Sequence, residues 1–161
     1  MAEKLDGTGH VEARDLTDYK VNLIQENILR TGITNVSAVK QDATEADAAS
    51  LEKADIVIAD LPCSGLGVLG KKTDLKYKMT EAIQRELVAL QRSILSNVQS
   101  FVKPGGTLVY STCTIHKGEN EENVAWFLEQ FPNFALEGEA RQLLPGVDAS
   151  DGFFIAKFKR V

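Results

Sequence analysis

The sequence lacks several features, and each absence excludes a class of protein. Only two cysteines occur in 161 residues, and they lie far apart, which excludes a secreted disulfide scaffold. No apolar run is long enough to cross a bilayer, and residues 1–4 lack the apolar core of a secretion signal. The net charge of -5 argues against a basic, nucleic-acid-binding surface over the whole chain. We therefore expect a cytoplasmic protein with free thiols, no membrane partner and no metal site.

The remaining composition is that of an ordinary globular protein, with 43% hydrophobic and 25% charged residues. A chain of 161 residues is long enough to bury one core, and neither a repeat nor a linker interrupts it. We therefore expect one domain over residues 1–161.

Strand-like segments alternate with amphipathic helical segments along the chain. This alternation predicts an α/β fold with a doubly wound, mostly parallel sheet and an antiparallel C-terminal edge. The predicted strands are 10–15, 36–39, 56–60, 107–111, 134–136 and 153–158, and the predicted helices are 17–31, 46–51, 80–102 and 119–131.

The stretch at 56–65 (IVIADLPCSG) is the one around which the chain is organised. Its β-branched run indicates a buried parallel strand, which ends at Asp60 and is followed by Cys63. A second such strand at 107–111 is followed by Cys113. Because parallel strands end at the same edge of a sheet, both sulfurs are expected over one pocket. The alternative is that both cysteines are small buried hydrophobes.

Three carboxylates stand at predicted strand ends: Asp15, Asp42 and Asp60. An acid after the second strand of a doubly wound sheet commonly hydrogen-bonds ribose hydroxyls. For any one of them, a helix cap or turn is about equally good an explanation. Three acids at equivalent positions favour a nucleoside-bearing ligand.

Six short motifs follow one another along the chain: DLPCSGLGV at 60–68, TDLKY at 73–77, KPGGTLVYSTCT at 103–114, ENE at 119–121, LPG at 144–146 and DGFF at 151–154. This ordered set resembles the RsmB/Sun (Fmu) family of 16S ribosomal RNA cytosine-5 methyltransferases, and the resemblance covers essentially the whole chain. One departure is Leu61, where the family usually has alanine.

The resemblance implies S-adenosylmethionine as methyl donor and a cytosine of small-subunit ribosomal RNA as acceptor. It implies that Asp15 binds the donor's ribose, that Asp42 lies beside its adenine, and that Asp60 lies near the donor's reactive end and the target base. It makes Cys113 the nucleophile and Cys63 the cysteine that assists product release.

Cytosine chemistry explains these residue types. Carbon 5 is a poor nucleophile, and a thiolate that adds to carbon 6 makes carbon 5 reactive towards a methyl sulfonium. A protonated Asp60 would hydrogen-bond the base, and we expect burial to favour that protonated form.

The target base must leave its stack to reach a thiol, which favours single-stranded or looped RNA. Lysines in the loop at 65–77, namely Lys71, Lys72 and Lys76, are predicted to contact phosphates. An ordinary solvated loop is almost as good an explanation for each lysine.

The family's first strand and its glycine-rich, donor-binding turn have no counterpart in this sequence. The resemblance places that strand between those ending at Asp15 and Asp60, so we expect a methyltransferase truncated at its N-terminus, with an unpaired edge and possible self-association. We expect this chain alone to bind donor poorly and to turn over little. Two alternatives are a non-catalytic RNA-binding or assembly module and a methyltransferase that acts on exocyclic amines.

Overall fold

A computed structural model describes residues 1–161, in which α-helices and β-strands alternate along two compact units, 1–46 and 47–161. No helix has both the length and the apolar character that a bilayer span requires. The strands are β1 (Val11–Asp15), β2 (Val36–Lys40), β3 (Ala54–Asp60), β4 (Val102–Thr112), β5 (Phe134–Leu136), β6 (Arg141–Leu143) and β7 (Phe153–Arg160), and the helices are α1 (Asp18–Thr31), α2 (Leu75–Lys78), α3 (Glu81–Val98) and α4 (Glu121–Gln130).

The first unit is a β1–α1–β2 segment whose two strands pair in parallel. Thr17 caps α1, because its hydroxyl accepts a hydrogen bond from the Lys20 amide at 3.3 Å. Gly32 ends the helix with a φ of 68°, a conformation that suits glycine. Asp15 lies opposite Lys40 in the register, so the two strands end at the same edge of the sheet.

The second unit is a five-stranded sheet in the order β3-β4-β7-β5, with β6 also paired to β7. β3 and β4 are parallel, and β7 runs antiparallel to β4, β5 and β6. In the register of β3 and β4, Asp60 lies opposite Ser111, which brings the two carboxyl ends together. The α/β fold and the antiparallel C-terminal edge predicted from the sequence are both confirmed.

The core of the second unit lies on one face of this sheet, beneath α3 and α4. Successive side chains of a strand alternate between faces, so β4 and β7 contribute every second residue to it. Phe127 of α4 packs on Phe158 of β7 with ring centroids 4.6 Å apart. The largest fully buried apolar side chains are Tyr110, Phe127, Phe154, Phe158, Leu95 and Leu108.

β3 is a parallel strand, but the prediction that it is a buried one is wrong. Ile56 is 57% exposed and Ile58 is 47% exposed, whereas Ala59 on the opposite face is buried. β3 is the edge strand of its sheet, with β4 as its hydrogen-bonded neighbour. An apolar run therefore identified the strand but not its place in the sheet.

Three further segments differ from the prediction. The loop at 65–77 contains a 3₁₀ turn at Leu66–Val68 and the one-turn helix α2. α3 ends at Val98, and β4 begins at Val102, so Lys103–Gly106 belong to a strand rather than to a helix stop. β6 has only three residues, too few for an alternating pattern to be recognised.

Candidate active site

The carboxyl ends of β3 and β4 bring the two cysteines together. The Sγ atoms of Cys63 and Cys113 lie 3.3 Å apart, within hydrogen-bond distance for sulfur, and both residues are partly exposed. The parallel pairing explains this proximity, because Asp60 and Ser111 are direct partners and each precedes its cysteine by two or three residues. The sequence-based expectation that both sulfurs face one site agrees with this geometry.

Asp60 lies on the same edge but is exposed, contrary to the expectation that burial would favour its protonated form. Its Oδ1 accepts a hydrogen bond from the Ser111 hydroxyl at 3.0 Å. The residue is therefore an exposed hydrogen-bond acceptor at the end of β3.

The two thiols have different surroundings. Burial, together with the hydrogen bond to Cys113, raises the pKa of the Cys63 thiol to about 12. Cys63 is therefore protonated at neutral pH and can donate its S–H to the neighbouring sulfur. A nucleophile must be a thiolate, so this environment suits Cys63 to an assisting role.

Direct contacts join the two cysteine-bearing segments. The hydroxyls of Ser64 and Thr114 lie 2.7 Å apart, and the Gly67 amide donates to the Cys113 carbonyl at 3.1 Å. A Cβ at Gly67 would lie 2.2 Å from the Gly152 carbonyl oxygen, so only glycine fits this close approach. The sulfur–sulfur distance is thus set by several backbone contacts as well as by strand pairing.

Beneath the cysteines lies a buried polar network that sequence reasoning missed. Glu119 accepts hydrogen bonds from the Ser64 amide and from Gln91, each at 2.9 Å, and Asn123 donates to Gln91 at 2.8 Å. Asn120 donates to the Thr114 carbonyl at 3.0 Å. Gln91, Glu119, Asn120 and Asn123 are fully buried.

One signal in the sequence could have revealed part of this network. Gln91 lies within the apolar stripe of α3, four residues after Leu87 and three before Ile94. A polar residue at such a position needs a buried partner. Glu119 stands in the ENE motif at 119–121, but nothing in the sequence indicated its burial, since an acid just before a helix is normally solvated.

Asp15 and Asp42 lie at the carboxyl edge of the β1–β2 sheet, and each forms a local turn. Asp15 Oδ1 accepts from the Thr17 amide at 3.1 Å, and Asp42 Oδ1 accepts from the Thr44 amide at 2.8 Å. The Thr44 hydroxyl also donates to Asp42, and these bonds lower the pKa of that carboxyl. Both acids therefore form the local turns that the sequence analysis gave as the alternative to ligand binding.

Two of the three loop lysines that were predicted to contact phosphates, Lys71 and Lys76, have partners within the chain. Lys71 Nζ lies 2.5 Å from Asp151 Oδ2, and Lys76 Nζ lies 4.8 Å from the centre of the Tyr77 ring. Lys72 follows Lys71 and is exposed. The ion pair of Lys71 reduces the positive charge that the loop presents.

A comparison with protein families decides which group of proteins these residues represent. The profile of the family described as 16S rRNA methyltransferase RsmB/F matches residues 1–159. The chain belongs to this family. Its members use S-adenosylmethionine as methyl donor, and the resemblance stated from the sequence motifs is confirmed.

Individual relatives are similar over nearly all of this chain. It is 37% identical to the probable ribosomal RNA small subunit methyltransferase B of Bacillus subtilis, with 99% of this chain and 40% of the relative aligned. It is 32% identical to the ribosomal RNA small subunit methyltransferase F of Cronobacter sakazakii, over 99% of this chain and 37% of that protein. The chain thus spans about two fifths of the length of these relatives.

A solved structure agrees with this assignment. The chain superposes on NSun6 from Pyrococcus horikoshii, solved with SFG, with a TM-score of 0.89 and 30% identity. The superposition covers 99% of this chain and 44% of the archaeal one. The fold is therefore that of a Rossmann-like methyltransferase sheet.

Proposed function

We propose that this chain carries the thiol chemistry of an enzyme that methylates carbon 5 of a cytosine in small-subunit ribosomal RNA. The observation that supports this reaction is the 3.3 Å separation of Cys63 and Cys113 at the ends of adjacent parallel strands. The membership of the RsmB/F family supports the substrate class. Action on ribosomal RNA would place the enzyme in the cytoplasm.

In the proposed reaction, the Cys113 thiolate adds to carbon 6 of the cytosine, and the electron pair of the ring double bond becomes available at carbon 5. S-adenosylmethionine, when bound, supplies an electrophilic methyl group to that carbon. Asp60 accepts a hydrogen bond from the exocyclic amine of the flipped base, since its carboxylate is exposed at the end of β3, beside the strand end that carries Cys113.

Product release requires loss of the proton on carbon 5 and cleavage of the bond between carbon 6 and Cys113. The carbon 5 proton passes to solvent, its bonding electrons restore the ring double bond, and Cys113 leaves as thiolate. The protonated Cys63, held 3.3 Å away, donates its S–H to the departing sulfur. Its raised pKa favours this role over direct removal of the proton by Cys63.

The residues at the β1–β2 edge fit part of a donor site. The carboxylate of Asp15 would accept hydrogen bonds from the ribose of the donor. The carboxylate of Asp42 would lie beside its adenine. The unit contains no strand followed by a glycine-rich turn before β1, so backbone donors for the rest of the donor molecule are missing. We therefore propose that this chain alone binds donor poorly and turns over little.

Lys71, Lys72 and Lys76 would meet the phosphates of the RNA strand. The ion pair of Lys71 with Asp151 would then break on binding, which makes Lys72 and Lys76 the stronger candidates.

The test uses an extended chain, in which the N-terminal part of the Bacillus subtilis relative precedes this sequence. Ribosomal RNA containing 5-fluorocytosine should give an adduct that survives denaturation, because fluorine cannot leave carbon 5 as a proton does. Cys113→Ala should abolish the adduct, and the matched variant Cys63→Ala should retain it. With ordinary RNA, Cys63→Ala should instead accumulate the adduct that the parent chain releases.

Other outcomes would favour the alternatives. Methylation of the exocyclic amine, found by nucleoside analysis, would contradict ring-carbon chemistry. RNA binding by the extended chain without any methylation would indicate the non-catalytic module.

A further inference from the structure

Both peptide groups that flank Cys63 are held by the same pair of buried side chains. Gln91 Nε2 donates to the Pro62 carbonyl at 2.9 Å, on the N-terminal side of the cysteine. Glu119 Oε2 accepts from the Ser64 amide at 2.9 Å, on the C-terminal side. Gln91 Nε2 also donates to Glu119 Oε2, which joins the two contacts into one unit.

This pair is costly to bury, which indicates that it has a specific role. Glu119 is completely buried, and its Oε1 has no hydrogen-bond partner. The group facing Oε1 is the His116 ring, whose Nδ1 lies 3.4 Å away and also lacks a hydrogen bond. An apolar pair of similar volume would fill this space without the desolvation penalty, but it could not hold the peptide groups beside Cys63.

We propose that Glu119 and Gln91 are positioning residues, which hold the Cys63 thiol against Cys113. Neither has a hydrogen bond to a sulfur, and both act through the backbone on either side of Cys63. The catalytic meaning of this positioning rests on the function proposed above, whereas the geometric claim does not. In catalytic terms, the pair keeps the S–H of Cys63 directed at the sulfur that must leave carbon 6.

The geometric claim is tested by the rate at which diamide joins the two thiols of this chain. Diamide takes up the two thiol hydrogens as a disulfide forms, and peptide mass spectrometry measures the link between Cys63 and Cys113. Glu119→Ala should slow the link about tenfold or more, since small displacements of paired groups strongly reduce their reaction rates. The exposed residue Glu122 supplies the matched control, and Glu122→Ala should leave the rate unchanged.

Two conservative variants distinguish the length of the Glu119 side chain from its charge. They also keep the test valid if Glu119→Ala unfolds. Glu119→Gln retains the length and an oxygen acceptor for Ser64 and Gln91, so it should restore the rate of the parent chain. Glu119→Asp retains the charge but shortens the side chain by one methylene, which moves the acceptor away from Ser64 and Gln91. The disulfide between Cys63 and Cys113 should therefore form slowly in this variant, while its circular dichroism spectrum remains native. The inference would be overturned if the disulfide forms in Glu119→Asp as fast as in the parent chain, or if it does not form in the parent chain.

The catalytic claim, that this pair directs the S–H of Cys63 at the departing sulfur, is tested by measuring the RNA adducts of the extended chain. Glu119→Asp should still be trapped by 5-fluorocytosine RNA but should accumulate the adduct on ordinary RNA, as Cys63→Ala does. Rapid release by Glu119→Asp would contradict a role in positioning Cys63. If the parent extended chain forms no adduct, the proposed function fails, while the cross-linking result still decides the geometric claim.

Discussion

The carboxyl ends of the two parallel strand pairs are built in opposite ways. At the end of β1 and β2, Asp15 and Asp42 accept hydrogen bonds from residues only two positions further along the chain. At the end of β3 and β4, the segment around Cys63 is fixed by buried contacts to Gln91 and Glu119, and the Ser64–Glu119 bond spans 55 positions.

This difference indicates which functional groups the fold arranges in advance. Local turns form in almost any surroundings. They orient a carboxylate relative to its own segment but do not set its distance from any other segment. A buried, long-range network forms only when the whole unit is folded, and it then fixes a distance. The thiol pair is therefore preorganised by its own unit, whereas the two acids are held only by local turns.

The largest expected effect concerns the reactivity of Cys63. At pH 8, its alkylation by iodoacetamide should be roughly fiftyfold slower in the folded chain than in urea. Folding raises the pKa of the Cys63 thiol from 9.0 to about 12, and the smaller thiolate fraction is only partly offset by the greater nucleophilicity of a more basic thiolate. Mass spectrometry of the alkylated peptides measures Cys63 separately from Cys113.

The pH profile distinguishes this cause from simple shielding. A raised pKa means that the thiolate fraction of folded Cys63 keeps increasing above pH 9, towards about 12, whereas the unfolded thiol levels off. A rate that levels off near pH 9 in the folded chain would show that access alone limits the reaction.

A second, smaller effect is expected at the close contact between the cysteine-bearing segments. Gly67→Ala should destabilise the second unit by about 3 kcal/mol, because the added Cβ overlaps backbone atoms of Gly152 and Cys113. Urea unfolding measures this loss. Gly70→Ala is the matched control, with no atom within 4 Å of its Cβ, and should change stability by less than about 0.5 kcal/mol.

The smallest effect is expected at the β1–β2 edge. The Thr44 hydroxyl and amide lower the pKa of Asp42, so Thr44→Val should move that pKa back towards its ordinary value. NMR titration of the carboxyl measures the change, and the fold of the chain should persist. If Thr44→Val unfolds this unit cooperatively, the β1–β2 edge is not held by local turns alone. The contrast with the β3–β4 edge, which long-range contacts hold, would then be wrong.

Sequence reasoning succeeded where the signal was local or followed from strand direction. Thr17 and Gly32 marked the ends of α1 through capping and backbone preference. The meeting of Cys63 and Cys113 followed from two parallel strands that each precede a cysteine.

The failures concern properties that only the assembled unit decides. The exposure of Ile56 follows from β3 being an edge strand, which its apolar run does not encode. The unpaired edge beside the strand that ends at Asp60 was expected only from the family resemblance. The burial of Glu119 depends on contacts with Gln91 and Ser64, which lie 28 and 55 positions away in the chain.

The most direct test of the proposed reaction identifies the residue that bonds to the base. The extended chain is trapped on 5-fluorocytosine ribosomal RNA, digested with protease and nuclease, and analysed by tandem mass spectrometry. The account predicts a methylated fluoropyrimidine attached to the sulfur of Cys113. Attachment to Cys63, or methyl transfer without any cysteine adduct, would contradict it.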